Sequence, residues 1–258
     1  MKIKLKWFVN SAILISVSLL ISSCNQQKDP KLVIAAAANM QFAMKELATS
    51  FTKETGVKCE IILSSSGKLT AQIKEGAPYD IFVSANMKYP YELYNTGFTT
   101  KEPEIYAFGK LVLWSMIDSI KPTINLLLHK NIKHIATANP KTAPYGILTE
   151  EVFNYYQLLD SIKHKLVYGE SIAQTNQFII TKAAEIGFTS KSVVLSPFII
   201  GKGSWIDVEE RAYSPIKQGI VIIKNSPTSI DKKEIFYNFL FSKKGQEILN
   251  KYGYSTNF

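Results

Sequence analysis

Cysteine and histidine are scarce, two and three among 258 residues. Cys24 and Cys59 are the only thiols, and Cys24 is read below as a lipid attachment point. No disulfide can then staple the chain, and a packed core has to carry its stability. The histidines, His129, His134 and His164, each stand beside a lysine in a polar segment. That placement argues against a metal cluster or a Ser–His catalytic pair, and no Gly-x-Ser-x-Gly elbow surrounds a serine. Ser66-Gly67-Lys68-Leu69 lacks the upstream glycine and the Ser or Thr after lysine of a phosphate loop. Acidic residues are the minority, 21 against 30 Lys and Arg, for a formal charge of +9. Removing Lys2, Lys4 and Lys6 leaves +6, scattered as lysines along the chain and not gathered in blocks. No nucleic-acid face is expected from such a pattern.

Long apolar runs are missing as well. Phe8 to Ile21 falls short of the ~20 residues of a membrane span. Preceded by three lysines and followed by Ile21-Ser22-Ser23-Cys24, it reads as a signal peptide over residues 1–23 whose end resembles a lipobox. Cys24 is then the lipidated residue and 24–30 a polar tether, holding the body at a membrane surface outside the cytoplasm. One acyl chain anchors only marginally, so multiple acylation is expected. Cys59, between Lys58 and Glu60, reads as a half-buried strand residue.

What is present suits a packed globule: 46% apolar and 12% aromatic residues. The ~235 residues beyond the cut fit one large domain or two lobes. Leu32 to Ala37 is a buried-strand run, and Met40 to Glu54 sets Ala43, Leu47 and Phe51 on one helical face. Gly56 ends that helix. Val57 to Leu63 alternates as a strand, Lys68 to Lys74 reads as a helix, and Ile81 to Ser84 as a third strand after a Gly-Ala-Pro turn. This is a parallel α/β pattern. It restarts with a strand at Ile135 to Ala138, an amphipathic segment from Gly146 to Leu159, a strand at Val167, a helix from Ile172 to Glu185 and a strand at Ile186 to Thr189. An irregular stretch with Pro197, Gly201 and Gly203 follows, then one helical segment from Lys232 to Tyr252. Ile105 to Ser115 and Ile216 to Ile223 are read as crossings between two lobes, 31–107 plus 214–258 and 108–213, with a ligand cleft between them.

Four strand-to-helix junctions carry the chemistry: Ala38-Asn39, Ser65-Ser66-Gly67, Ala143-Pro144-Tyr145-Gly146 and Glu170-Ser171-Ile172. A helix start exposes unpaired N–H groups and roughly half a positive charge, so several converging starts form an anion site without a formal cation. Asn39, Ser66 and Tyr145 add side-chain donors; Ala38, Ser66 and Ile172 can give backbone N–H. A dianion without hydrogens suits a site made only of donors. Taken singly, Ser or Asn before a helix is ordinarily an N-cap, and Pro144 has its own ordinary place at a helix start.

The runs Ala36-Ala37-Ala38-Asn39, Ser64-Ser65-Ser66-Gly67-Lys68-Leu69, Gly76 to Ala85, Asn139 to Gly146, Gly169-Glu170-Ser171-Ile172 and Phe241 to Leu249 together resemble the molybdate-binding proteins of molybdate ABC importers. The resemblance spans nearly all of the chain after the tether. It implies the two-lobed type II periplasmic-binding-protein architecture, hinge closure, molybdate or tungstate as ligand rather than cofactor, and a monomer serving a membrane permease and its ATPase. It implies no enzymatic activity. The family's ligand donors fall on Asn39, Ser66, Tyr145 and Ile172, with Ala38 beside the first. Of the family's two subtypes the chain follows the one with asparagine first and tyrosine third. The other subtype's later tyrosine aligns with Ser190, which stays outside the expected core site.

Other tetrahedral oxyanions remain open at this point, because sub-ångström cavity dimensions separate them. A phosphate site would want an acidic acceptor for the ligand's proton, and the junctions hold only Glu170. An anchored hydrolase using one of Ser64 to Ser66 is the reading from a different class, and the histidine placement counts against it.

Overall fold

The structure, a computed structural model, describes residues 30–256. The expected signal peptide, Cys24 and all but the last tether residue lie outside the described residues. Two five-stranded mixed sheets organise the chain, each flanked by helices. The first has the order β2-β1-β3-β10-β4, formed by Cys59–Ser64, Leu32–Ala37, Ile81–Val83, Ile216–Ile222 and Glu104–Gly109. The second, β7-β6-β8-β5-β9, is formed by Leu166–Gly169, Ile135–Ala138, Ile186–Ser190, Leu111–Ser115 and Ser204–Asp207. In each sheet four strands share one direction and the fifth, β10 or β5, runs antiparallel between the last two of them. The architecture is thus the expected two-lobed α/β fold.

The apolar run of β1 is buried because helices cover its sheet, as near-continuous hydrophobic parallel strands require. Helix α1 (Gln41–Thr55) turns Ala43, Met44, Leu47 and Phe51 into that core, and Gly56 caps it in the left-handed region. Asp80, just ahead of β3, is fully buried. Its carboxylate accepts from Val33 N at 2.7 Å, Ser226 Oγ at 2.6 Å and Thr228 Oγ1 at 2.8 Å, which fixes β3 beside β1.

The remaining helices are α2 (Ser66–Lys74), α3 (Lys88–Asn95), α4 (Pro144–Tyr155), α5 (Leu159–Ile162), α6 (Ile172–Ile180), α7 (Lys191–Val194), α8 (Ile230–Phe241) and α9 (Lys243–Lys251). Three differ from expectation. The helix expected through Glu185 stops at Ile180, because Lys182 turns the chain at φ 61°. The single segment Lys232 to Tyr252 is two helices. Ser242 breaks it, its Oγ donating to Phe239 O at 2.7 Å while accepting from Gly245 N at 3.1 Å, so one residue ends α8 and caps α9. The stretch expected to be irregular contains β9, whose Trp205 and Ile206 pair with β5.

The chain passes from the first sheet to the second between Gly109 and Leu111 and returns between Asp207 and Ile216. The C-terminal segment returns to the edge of the first sheet, where Ser255 exchanges both backbone bonds with Phe108, at 2.8 and 2.9 Å. Beside the two crossings lies a cavity of about 250 Å³, lined by Lys110, Glu210, Tyr213 and Ile216 among others.

Candidate functional site

Each candidate residue begins a helix. Ala38 and Asn39 form a 3₁₀ turn leading into α1, Ser66 is the first residue of α2, Pro144 and Tyr145 open α4, and Ile172 opens α6. Capping sets these starts apart. Ala37, Ser65 and Ala143, the residues just ahead of the first three, make no side-chain cap, and Ser65 Oγ is buried without a partner. Only Ser171 behaves as an ordinary N-cap, accepting from Gln174 N at 3.4 Å. The simple capping account therefore fails at three of the four junctions, where first-turn N–H groups stay available to something else.

The junctions meet across the lobes. Gly67 N donates to Thr142 O at 3.0 Å, and a Cβ on Gly67 would stand 2.9 Å from that oxygen and 2.8 Å from Tyr89 Oη, so only glycine permits this approach. Thr142 Oγ1 reaches Glu170 O at 3.3 Å, and Lys68 Nζ pairs with Glu170 Oε2 at 3.1 Å. Helix α6 packs on the turn at Ala38 to Met40, and Ala38, Ala85, Ala143, Tyr145 and Ile172 share one buried cluster. Ala38, Asn39, Ser66, Tyr145 and Ile172 are between 0% and 4% exposed. At that exposure all five are closed to solvent.

The side chains fall into two groups. Ser66 Oγ accepts from Ala85 N at 3.0 Å, which leaves its hydroxyl hydrogen free to point elsewhere. Asn39 Nδ2 donates to Gln218 Oε1 at 2.9 Å and Tyr254 Oη at 3.0 Å, while its Oδ1 is buried with no partner. Tyr145 Oη donates to Ser190 Oγ at 3.1 Å, so its hydroxyl hydrogen is taken and its N–H at the helix start is the group left to offer. Burial holds the Tyr145 and Tyr106 phenols well above their ordinary range and pushes Tyr254 up to about 12. Glu170 accepts from Asn139 Nδ2 and Lys68, which lowers its pKa; its half-exposed carboxylate is held at the surface, not as a buried proton acceptor.

Ser190, left outside the expected site, is the anchor for Tyr145. Gln218, Tyr254, Tyr106 and Ser192 were not singled out from the sequence, yet they surround Asn39. Gln218 left a trace there as a lone amide in the apolar run Ile216 to Ile223; the β10 register shifts at Gln218/Gly219, a bulge that re-aims its side chain. Gly109 was likewise unread. A Cβ there would stand 2.4 Å from both Gln218 Nε2 and Tyr145 Oη. Among the described residues no three His, Cys, Asp or Glu side chains gather as metal ligands.

Two α/β lobes joined by two crossing segments, with buried donors at helix starts between them, define a cleft-type solute-binding protein. The chain belongs to the bacterial extracellular solute-binding proteins, whose family model matches residues 32–255. It is 37% identical over 226 residues to the molybdate-binding protein ModA of Azotobacter vinelandii, covering 86% of this chain and 88% of that one. It is 34% identical to ModA of Rhodobacter capsulatus, covering 88% of each. The solved periplasmic molybdate-binding protein of Azotobacter vinelandii superposes with a TM-score of 0.84 at 32% identity, covering 88% of this chain and all of that one.

Proposed function

We propose that this chain captures molybdate, or its tungsten counterpart, and hands it to the membrane permease and ATPase of an ABC importer. The observation that carries the reading is the set of uncapped helix starts from both lobes, meeting around buried donors with no competing acceptor carboxylate. The relatives at 37% and 34% identity, both molybdate-binding proteins, point to the same ligand class.

Ala38, Asn39, Ser66, Tyr145 and Ile172 are the proposed donors. Each tetrahedral oxygen of a dianion accepts hydrogen bonds and gives none, so a donor-only shell loses nothing to mismatch. Charge-assisted bonds contribute roughly 1.5–3 kcal/mol each, and six or seven outweigh the cost of association. The ion enters with the lobes apart, bonds first to one lobe's helix starts and is buried when the crossing segments bend. No covalent bond changes. Glu170, tied to Lys68 and Asn139, does not serve the proton of a hydrogen phosphate, which favours fully ionised oxyanions. Cys24 is proposed as the lipid anchor that keeps the protein at the outer face of a membrane, acting as a monomer.

Isothermal titration of the purified protein with molybdate, tungstate, sulfate and phosphate at one pH and ionic strength tests the reading. Tight binding of molybdate or tungstate with weak sulfate supports it; a preference for sulfate or phosphate replaces the ligand, and heat from none of the four refutes the function.

A further inference from the structure

Three buried hydroxyls form a row that runs from the second lobe to the first. Tyr145 Oη stands 3.1 Å from Ser190 Oγ, Ser190 Oγ 2.8 Å from Ser192 Oγ, and Ser192 Oγ 2.7 Å from the backbone oxygen of Asn39. Tyr145, Ser190, Ser192 and Asn39 are between 0% and 2% exposed, so solvent does not compete for these bonds.

The last member of the row fixes its direction. A carbonyl oxygen only accepts, so the single hydrogen of Ser192 is committed to Asn39 O. Ser190 is then the donor in its contact with Ser192, and Tyr145 the donor to Ser190. All three hydrogens point toward the first lobe, and hydroxyls bonded head to tail polarise one another where water is excluded. Tyr254 Oη donates to the same Asn39 oxygen at 3.1 Å, so both of its lone pairs are used.

The bond from Ser192 is the member of the row that crosses between lobes. Ser192 lies on α7, which packs on α1 and on the turn at Ala38–Met40. That turn has three residues and no side-chain cap, so little within it fixes the direction of its N–H groups. A carbonyl gripped from the opposite lobe supplies the missing constraint.

We propose that Ser192 and Ser190 are positioning residues for the oxyanion: without touching the ion, Ser192 fixes the Asn39 peptide of the first lobe against the second, and Ser190 holds Ser192 in the orientation that does so. This rests on the reading of Asn39 as a donor to the ion. Tyr145, at the far end of the row, only orients Ser190 through its phenol, so the effect of removing a hydroxyl declines with distance from the crossing.

The experiment titrates the whole protein with molybdate by calorimetry and follows release of bound ⁹⁹Mo-molybdate into an excess of unlabelled ion. Ser192→Ala should weaken binding by ~10-fold, Ser190→Ala by ~5-fold and Tyr145→Phe by ~2-fold, the scale of one hydrogen bond and its fractions. The Ser192 loss should lie in faster release, with association unchanged. Because Ser190 acts through Ser192, the double variant should be no weaker than Ser192→Ala alone. Losses that multiply to ~50-fold in the double variant overturn the proposal. So does a lowered urea midpoint of the ligand-free variants with affinity as in the wild type, the mark of a purely structural role. Ser196→Ala is the control, since Ser196 Oγ is equally buried and has no partner; it should leave affinity unchanged, and a loss equal to that of Ser192→Ala overturns the assignment. Failure of the wild type to bind molybdate overturns the underlying function instead, so the wild-type titration tells the two failures apart.

Discussion

The two lobes build their halves of the site by different means. In the first lobe, side chains do the work: Asn39 is held by Gln218 and Tyr254, and Ser66 keeps a free hydroxyl hydrogen while accepting from Ala85. In the second, the starts of α4 and α6 are offered as backbone, and the Tyr145 phenol is turned into Ser190. A backbone donor cannot be deleted by mutation and tolerates change in the residue that carries it. A side-chain donor is tunable and needs a supporting shell. Selectivity should therefore reside mainly in the first lobe and closure in the second.

The contrast breaks first at Gly109, which separates Gln218 from Tyr145. Gly109→Ala puts a methyl group into both, and about 3 kcal/mol of molybdate affinity, on the order of 100-fold, should be lost by calorimetry. Next, alkaline pH should attack the first-lobe network. Burial raises Tyr254 to about 12, so the unfolded chain releases this proton near pH 10 and the folded chain later. Stability is full below about pH 10 and is lost as pH rises toward 12, by roughly 2 kcal/mol from this residue. Urea unfolding at pH 9, 10 and 11 should show the decline, and Tyr254→Phe should make it shallower, the buried Tyr106 and Tyr145 phenols supplying the remainder. Ser66→Ala should weaken molybdate by about 2 kcal/mol, whereas Tyr145→Phe should cost under about 1 kcal/mol. Equal losses would place the Tyr145 phenol on the ion and remove the distinction between the lobes.

Closure is probed by smaller effects. Gly67→Ala meets Thr142 O across the cleft and Tyr89 Oη within its own lobe, and should lower affinity by about 1 kcal/mol and enlarge the liganded radius of gyration. Lys68→Met removes a half-exposed ion pair between the lobes and should speed ligand release by an amount equal to about 0.5 kcal/mol, vanishing in high salt.

Periodicity and junction chemistry made much of this legible. The apolar runs of β1, β3, β6 and β8 and the face of α1 are local signals, so their elements could be read without a partner in view. The helix starts at Ser66, Tyr145 and Ile172 followed from strand-then-helix order alone. The strand β9 and the bulge in β10 were harder, since Trp205 and Gln218 take their places from neighbours far along the chain. Tyr254 was illegible for the same reason: its meaning depends on Asn39, 215 residues earlier. Ser242 could have been seen as a break, being a capping residue inside a helical pattern, but the apolar faces on either side ran in phase and hid it.

The position of β10 also sets an order of assembly. It lies between β3 and β4 and is hydrogen-bonded to both, yet it is synthesised after every strand of the second sheet. On the ribosome the second lobe has all its strands, from Leu111 to Asp207, while β4 of the first still lacks a partner. A nascent chain halted before residue 216 would carry one finished lobe and one split sheet, its edges exposed to whatever chaperone meets the emerging polypeptide.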